Sequence, residues 1–76
     1  MLEIKITPTE FTIANAVLEF EKIESEKVLK LDEEQFIKLY ETLCEKEELT
    51  TDEIDLLEKL VKNDIFKYLK PFEFTA

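Results

Sequence analysis

Three stretches of this chain are built on one six-residue pattern: Ile6-Thr7-Pro8-Thr9-Glu10-Phe11, Leu31-Asp32-Glu33-Glu34-Gln35-Phe36 and Leu49-Thr50-Thr51-Asp52-Glu53-Ile54. In each, a Thr or Asp that can accept hydrogen bonds from the first helical turn is followed three residues later by a Glu or Gln. That second side chain can reach back to the cap's own N–H, which satisfies two orphan donors reciprocally. Three helix starts are predicted, with N-caps at Thr7, Asp32 and Thr50 and hydrophobic staples Ile6/Phe11, Leu31/Phe36 and Leu49/Ile54. Pro8 falls at the first helical position, where its missing N–H is harmless. The caps lie 25 and then 18 residues apart, so the recurrence is capping chemistry and not a structural repeat.

Apolar spacing sets the expected extents. Residues 8–24 place Phe11, Ile13, Ala14, Ala16, Val17, Leu18, Phe20 and Ile23 around more than half of a helix, which predicts a long, central first helix. Residues 33–46 gather Phe36, Leu39, Tyr40, Leu43 and Cys44 on one face, with Ile37 at its margin. That spacing makes Cys44 a core thiol. Residues 51–62 do the same with Ile54, Leu56, Leu57, Leu60 and Val61, and the helix is expected to end near Asn63 because Asp64 would enter its apolar stripe. A further short turn over 65–69 is compatible with the pattern. Leu2, Ile4 and Ile6 alternate with Glu3 and Lys5, Phe72 and Phe74 flank Glu73, and Val28-Leu29-Lys30-Leu31 alternates less clearly. The reading is a single small acidic α+β domain over residues 1–76: three capped helices on a two- or three-stranded sheet, ordered β-α-β-α-α-β, with the sheet beneath the first helix. The alternative is an all-α three-helix bundle, because alternation over so few residues is a weak signal.

What the chain lacks narrows its chemistry. It has no His, Trp, Gly or Arg, which removes imidazole bases and metal ligands, arginine clamps and glycine phosphate loops. Cys44 is the only thiol, and no motif sets a base beside it, so neither nucleophilic catalysis nor an intrachain disulfide is expected. The chain therefore reads as non-enzymatic, with no cofactor or metal. A lone Cys and the absence of any membrane-length apolar run favour the cytoplasm. With 19 acidic residues against 10 lysines and a net charge of −9, direct binding to nucleic acid is not expected.

Two local likenesses fit the same picture. Leu49-Thr50-Thr51-Asp52-Glu53 resembles the helix start of EF-hand proteins, but the shared element is the capping box. No twelve-residue loop of alternating oxygen ligands with a central Gly accompanies it. Ile6-Thr7-Pro8-Thr9-Glu10-Phe11 is similar to a helix start of some winged-helix regulators. A recognition helix, however, needs basic and amide side chains, and the third helix offers Asp52, Glu53, Asp55 and Glu58 against Lys59 and Lys62.

Charge is concentrated. Residues 41–58 hold eight carboxylates and only Lys46, a net −7 of the chain's −9. Asp52 and Glu53 suit a helix N-terminus, but Glu45, Glu47 and Glu48 follow the end of the second helix, where the dipole disfavours negative charge. Glu41 and Glu45 also sit one turn apart as like charges. Local rules broken without visible compensation point to function. The candidate partner-binding residues are Glu41, Glu45, Glu47, Glu48, Asp52, Asp55 and Glu58, and the expected partner is a protein with a basic surface. In size, acidity and lack of catalytic groups the chain resembles accessory proteins of phages and mobile elements, DNA-mimic inhibitors among them. That resemblance of type implies an inhibitor occupying the nucleic-acid-binding surface of a host protein. Two alternatives stand beside it. The acids could form a solvated face serving solubility. Or the chain could be a small structural or assembly protein, or a homodimer, that binds through its aromatic C-terminal segment, with Tyr40, Phe66, Tyr68, Phe72 and Phe74 as its aromatic surplus; separately, the exposed lysines Lys59, Lys62, Lys67 and Lys70 could pair with the acidic side of a second copy.

Overall fold

Each of the three capping patterns opens a helix. In the computed structural model, which describes residues 1–66, strand β1 (Leu2–Lys5) leads into helix α1 (Pro8–Leu18). Strand β2 (Val28–Leu31) then precedes helices α2 (Glu33–Cys44) and α3 (Thr51–Lys62). Thr7, Asp32 and Thr50 are extended residues at the N-cap positions, and both hydrogen bonds of the capping box form at every one of them. The arrangement is α+β: three helices packed with a two-stranded sheet, which excludes the all-helical alternative.

The strands pair antiparallel, with Leu2 opposite Leu31 and Ile4 opposite Leu29. Because side chains alternate, this register puts all four leucine and isoleucine side chains on one buried face, and Glu3, Lys5 and Lys30 on the exposed one. Ile6 N–H donates to the Lys27 carbonyl at 2.8 Å and extends the ladder by one bond. The sheet meets the helices most extensively through β2 and α2, and Phe11 and Ala14 of α1, the helix the sequence placed above the sheet, share one core with its buried face. The fully buried Phe36, Leu39 and Leu43 of α2 meet Leu56 and Leu60 of α3 and the sheet's inward face, so α2 is the central helix.

Helix α1 is shorter than its apolar pattern. It stops at Leu18 because Glu19 turns into the left-handed region (φ 50°, ψ 64°) while Asn15 Oδ1 accepts the Phe20 N–H at 3.0 Å. A left-handed glutamate costs roughly 1–2 kcal/mol that a glycine at this position would avoid. The turn swings Phe20 back so that its ring stacks on Phe11, 5.7 Å between centroids. Ile23 consequently lies outside the helix and half-exposed.

Other sequence expectations change at the margins of helices. Helix α2 ends two residues earlier than expected, and Cys44 is exposed, because the buried stripe of Phe36, Leu39 and Leu43 is narrower than the apolar one. Ile54 and Val61 are likewise 44% and 50% exposed, since α3 turns Glu53, Leu56 and Leu60 to the core. Helix α3 does end at Asn63, whose side chain Nδ2 donates back to the Lys59 carbonyl at 2.7 Å. Tyr40 and Phe66 are half-buried against Phe36, in a parallel stack at 6.4 Å and an edge contact at 5.6 Å, so they belong to the fold's own packing. The expected strand at Phe72–Phe74 and most of the turn over 65–69 lie outside the described residues.

Candidate functional site

The acidic site is built around two buried capping-box carboxylates. Glu10, the third residue of α1, is only 1% exposed. Its Oε1 accepts the Thr7 N–H at 2.9 Å and the Lys59 Nζ from α3 at 2.6 Å, so one oxygen closes the cap and ties the first helix to the third. Burial alone would raise this carboxyl. The Lys59 hydrogen bond, the Thr7 N–H and the Lys59 charge together outweigh it and hold the group below the usual glutamate range.

Glu53 repeats the arrangement in α3. Its Oε1 accepts the Thr50 N–H at 2.9 Å, and its Oε2 pairs with Lys46 of the connection between α2 and α3. The Lys46 hydrogen bond, followed by the Thr50 N–H, lowers its carboxyl against the opposing effect of burial. Lys59, read from sequence as a cation for a second copy, is thus engaged within the fold, and so is Lys46.

This has a direct electrostatic consequence. Lys46 is the one cation in residues 41–58, and the buried Glu53 engages it. The remaining seven carboxylates of that stretch are Glu41, Glu45, Glu47, Glu48, Asp52, Asp55 and Glu58, and every one is exposed. Glu45, Glu47, Glu48, Asp52, Asp55 and Glu58 form no ion pair with another described residue. The seven sequence candidates are thus all exposed on one helix–connection–helix segment, and six of them, all but Glu41, have no ion-pair partner among the described residues. No three of the described acids or thiols converge as a metal ligand set.

The positions within that segment refine the dipole argument. Glu41 and Glu45 stand in and just after the last turn of α2, which has no basic residue to complement its carbonyl end. Glu47 and Glu48 lie beyond it, on the connection that leads into Thr50. Asp52 occupies the first turn of α3, where negative charge is favoured, while Asp55 and Glu58 continue along the helix.

Sequence reasoning missed the place of four side chains in this segment. Tyr40 and Cys44 join Glu41 and Glu45 around a shallow hollow of about 370 Å³, which the expectation of a buried thiol concealed. The exposed Ile54 and Val61 set apolar surface beside Asp55 and Glu58. The only sequence signal for the exposure of Ile54 was that its staple partner, Leu49, sits in a stretch crowded with charge. A second groove of about 700 Å³ lies elsewhere, with Phe11, Phe20 and Ile23 in its lining and Lys22 and Lys30 balanced by Glu3 and Glu24. Equal numbers of opposite charges there select no ionic ligand.

Among the described residues, no helix is long and apolar enough to cross a membrane. Comparison of the chain with protein-family models, curated proteins and solved structures finds no match.

Proposed function

We propose that this protein is a non-enzymatic, acidic protein-binding module that docks the α2–α3 segment onto the basic surface of another protein. The observation that carries the reading is the engagement of Lys46 by buried Glu53, which leaves Glu45, Glu47, Glu48, Asp52, Asp55 and Glu58 exposed with no ion-pair partner among the described residues. A solubilising surface is best served by charges of both signs interspersed. A one-signed segment instead raises the rate and fixes the orientation of encounter with an opposite charge. Where the partner's basic surface ordinarily holds nucleic acid, the docked carboxylates stand in for phosphates and the module acts as a competitive inhibitor. The exposed thiol of Cys44 suits a reducing compartment, so the proposal places this activity in the cytoplasm.

The test compares wild type with a Glu45→Lys, Glu47→Lys, Glu48→Lys triple variant as baits, with circular dichroism to establish that both fold and elution by a salt gradient. Support is a partner held by the wild type, lost by the folded variant and released at moderate salt, as screening of exposed charge requires. Equal capture by both baits overturns the reading.

A further inference from the structure

We propose that the acidic module recognises an amphipathic cationic segment of its partner, with the apolar side of that segment lying on Ile54, Leu57 and Val61 and its lysines or arginines facing Glu58 and Asp55. The inference rests on the docking reading above and narrows it to one class of ligand.

Ile54, Leu57 and Val61 are three and four residues apart, so they share one face of α3. Leu57 is half-buried against the core, while Ile54 and Val61 are 44% and 50% exposed, and the strip therefore runs from the core's edge out to solvent. Ile54 occupies the position at which a hydrophobic staple would bury it, as Phe11 and Phe36 are buried at the same position of the other two helices. Its exposure leaves apolar surface that the described residues do not bury.

The charge around the strip specifies what would cover it. Glu58 lies four residues after Ile54 and three before Val61, so its carboxylate borders the strip on one side, and Asp55, three before Glu58, stands next to it around the helix. Lys59, which would otherwise neutralise them, is engaged by Glu10 on α1. A second copy set against this strip would bring Asp55 and Glu58 of both copies together in chains that each carry net −9, so self-pairing is opposed. A bare nucleic-acid-binding surface would use the carboxylates and leave the strip wet. A segment with one apolar side and one cationic side satisfies both features at once. Exposed Lys62, four residues after Glu58 and on the same side, gives the surface a direction: the cations of the bound segment belong toward Asp55, away from Lys62.

The experiment uses two synthetic Leu/Lys peptides of identical composition, one patterned as an amphipathic helix and one permuted so that no apolar face forms. Fluorescence anisotropy measures their binding to wild type and to an Ile54→Ser, Val61→Ser double variant at low and high salt. Wild type is expected to bind the amphipathic peptide about tenfold more tightly than its permuted isomer, and the double variant to lose that difference while keeping the salt-sensitive binding common to both. If wild type binds the two peptides equally, the inference fails and the charge-only docking reading stands. If neither peptide binds at low salt, the docking reading itself fails. A wild-type dimer in sedimentation that the double variant dissociates would assign the strip to a second copy and overturn the inference. Should the double variant lose its helical signal, Ile54→Thr alone carries the same comparison.

Discussion

The beginnings of α1 and α2 follow the same local pattern and do different work. Each has its N-cap, its reciprocal bond and its buried staple, yet Glu10 is buried and bridged to Lys59, 49 residues away, while Gln35 is half-exposed and serves only its own turn. The start of α3 is the third variation: its capping Glu53 is buried and bridged, but its staple residue Ile54 faces solvent. The comparison separates two jobs that one sequence pattern can hold. Starting a helix needs only local donors and acceptors. Fixing that helix against others needs burial, which a local pattern does not specify.

The sharpest way to break the comparison is at the staples. Phe36→Ala should destabilise the fold by about 3–5 kcal/mol and Phe11→Ala by nearly as much, because both rings leave cavities, while Ile54→Ala should cost less than about 1 kcal/mol. Urea unfolding midpoints of the three variants check the ranking.

Next in size is the bridge. Glu10→Ala removes one bond of the capping box and leaves Lys59 half-buried without its partner, a loss of about 2 kcal/mol once the partial exposure of Lys59 is allowed for. Gln35→Ala removes only the local bond and should cost about 0.5–1 kcal/mol. Equal losses in chemical unfolding would show that the long-range bridge adds nothing to the cap.

Acid should sharpen the same contrast. The folded-state carboxyls of Glu10 and Glu53 are held below their unfolded values, so the unfolded chain takes up protons first as pH falls. Their contribution is present in full above the ordinary glutamate range, about pH 4.3, and is lost as pH falls through the lowered folded values. A Glu10→Gln, Glu53→Gln variant should show a flatter decline of stability with pH in that window than wild type; an identical slope would refute the assignment.

The smallest expected effect concerns the candidate site. Glu45→Lys places a cation at the unsupported carbonyl end of α2 and should stabilise the fold by about 0.3–0.5 kcal/mol. If the same change removes partner capture, stability and binding pull in opposite directions at this residue, as expected where a local rule is broken for function.

Much of the candidate site was legible because charge is a property of residues, and exposed residues keep it. The seven carboxylates are where a count along the chain put them. Glu53 was set apart from Asp55 by its capping-box position, but a count could not show that it would be buried and would take Lys46, the one cation of that stretch, as its partner. The rotation of α3 exposed Ile54 and Val61, and the equivalent margin of α2 exposed Cys44, because an apolar stripe is often wider than the face that neighbouring helices can cover. The end of α1 was hidden for a related reason. Apolar periodicity continues through Phe20 and Ile23, but a side-chain bond from Asn15 and a ring stack on Phe11 favour a left-handed turn at Glu19.

By itself, the sequence determined the three helix starts, the segment that carries the acidic charge and the absence of imidazole and glycine chemistry. These depend on interactions within a few residues or on composition alone, so neighbours in the chain suffice to set them. The tertiary structure alone decided that α2 is central, that Lys46 and Lys59 serve Glu53 and Glu10, and that Ile54 and Val61 remain on the surface. Those outcomes depend on which faces meet across tens of residues, and burial there reverses the roles of side chains that are chemically the same.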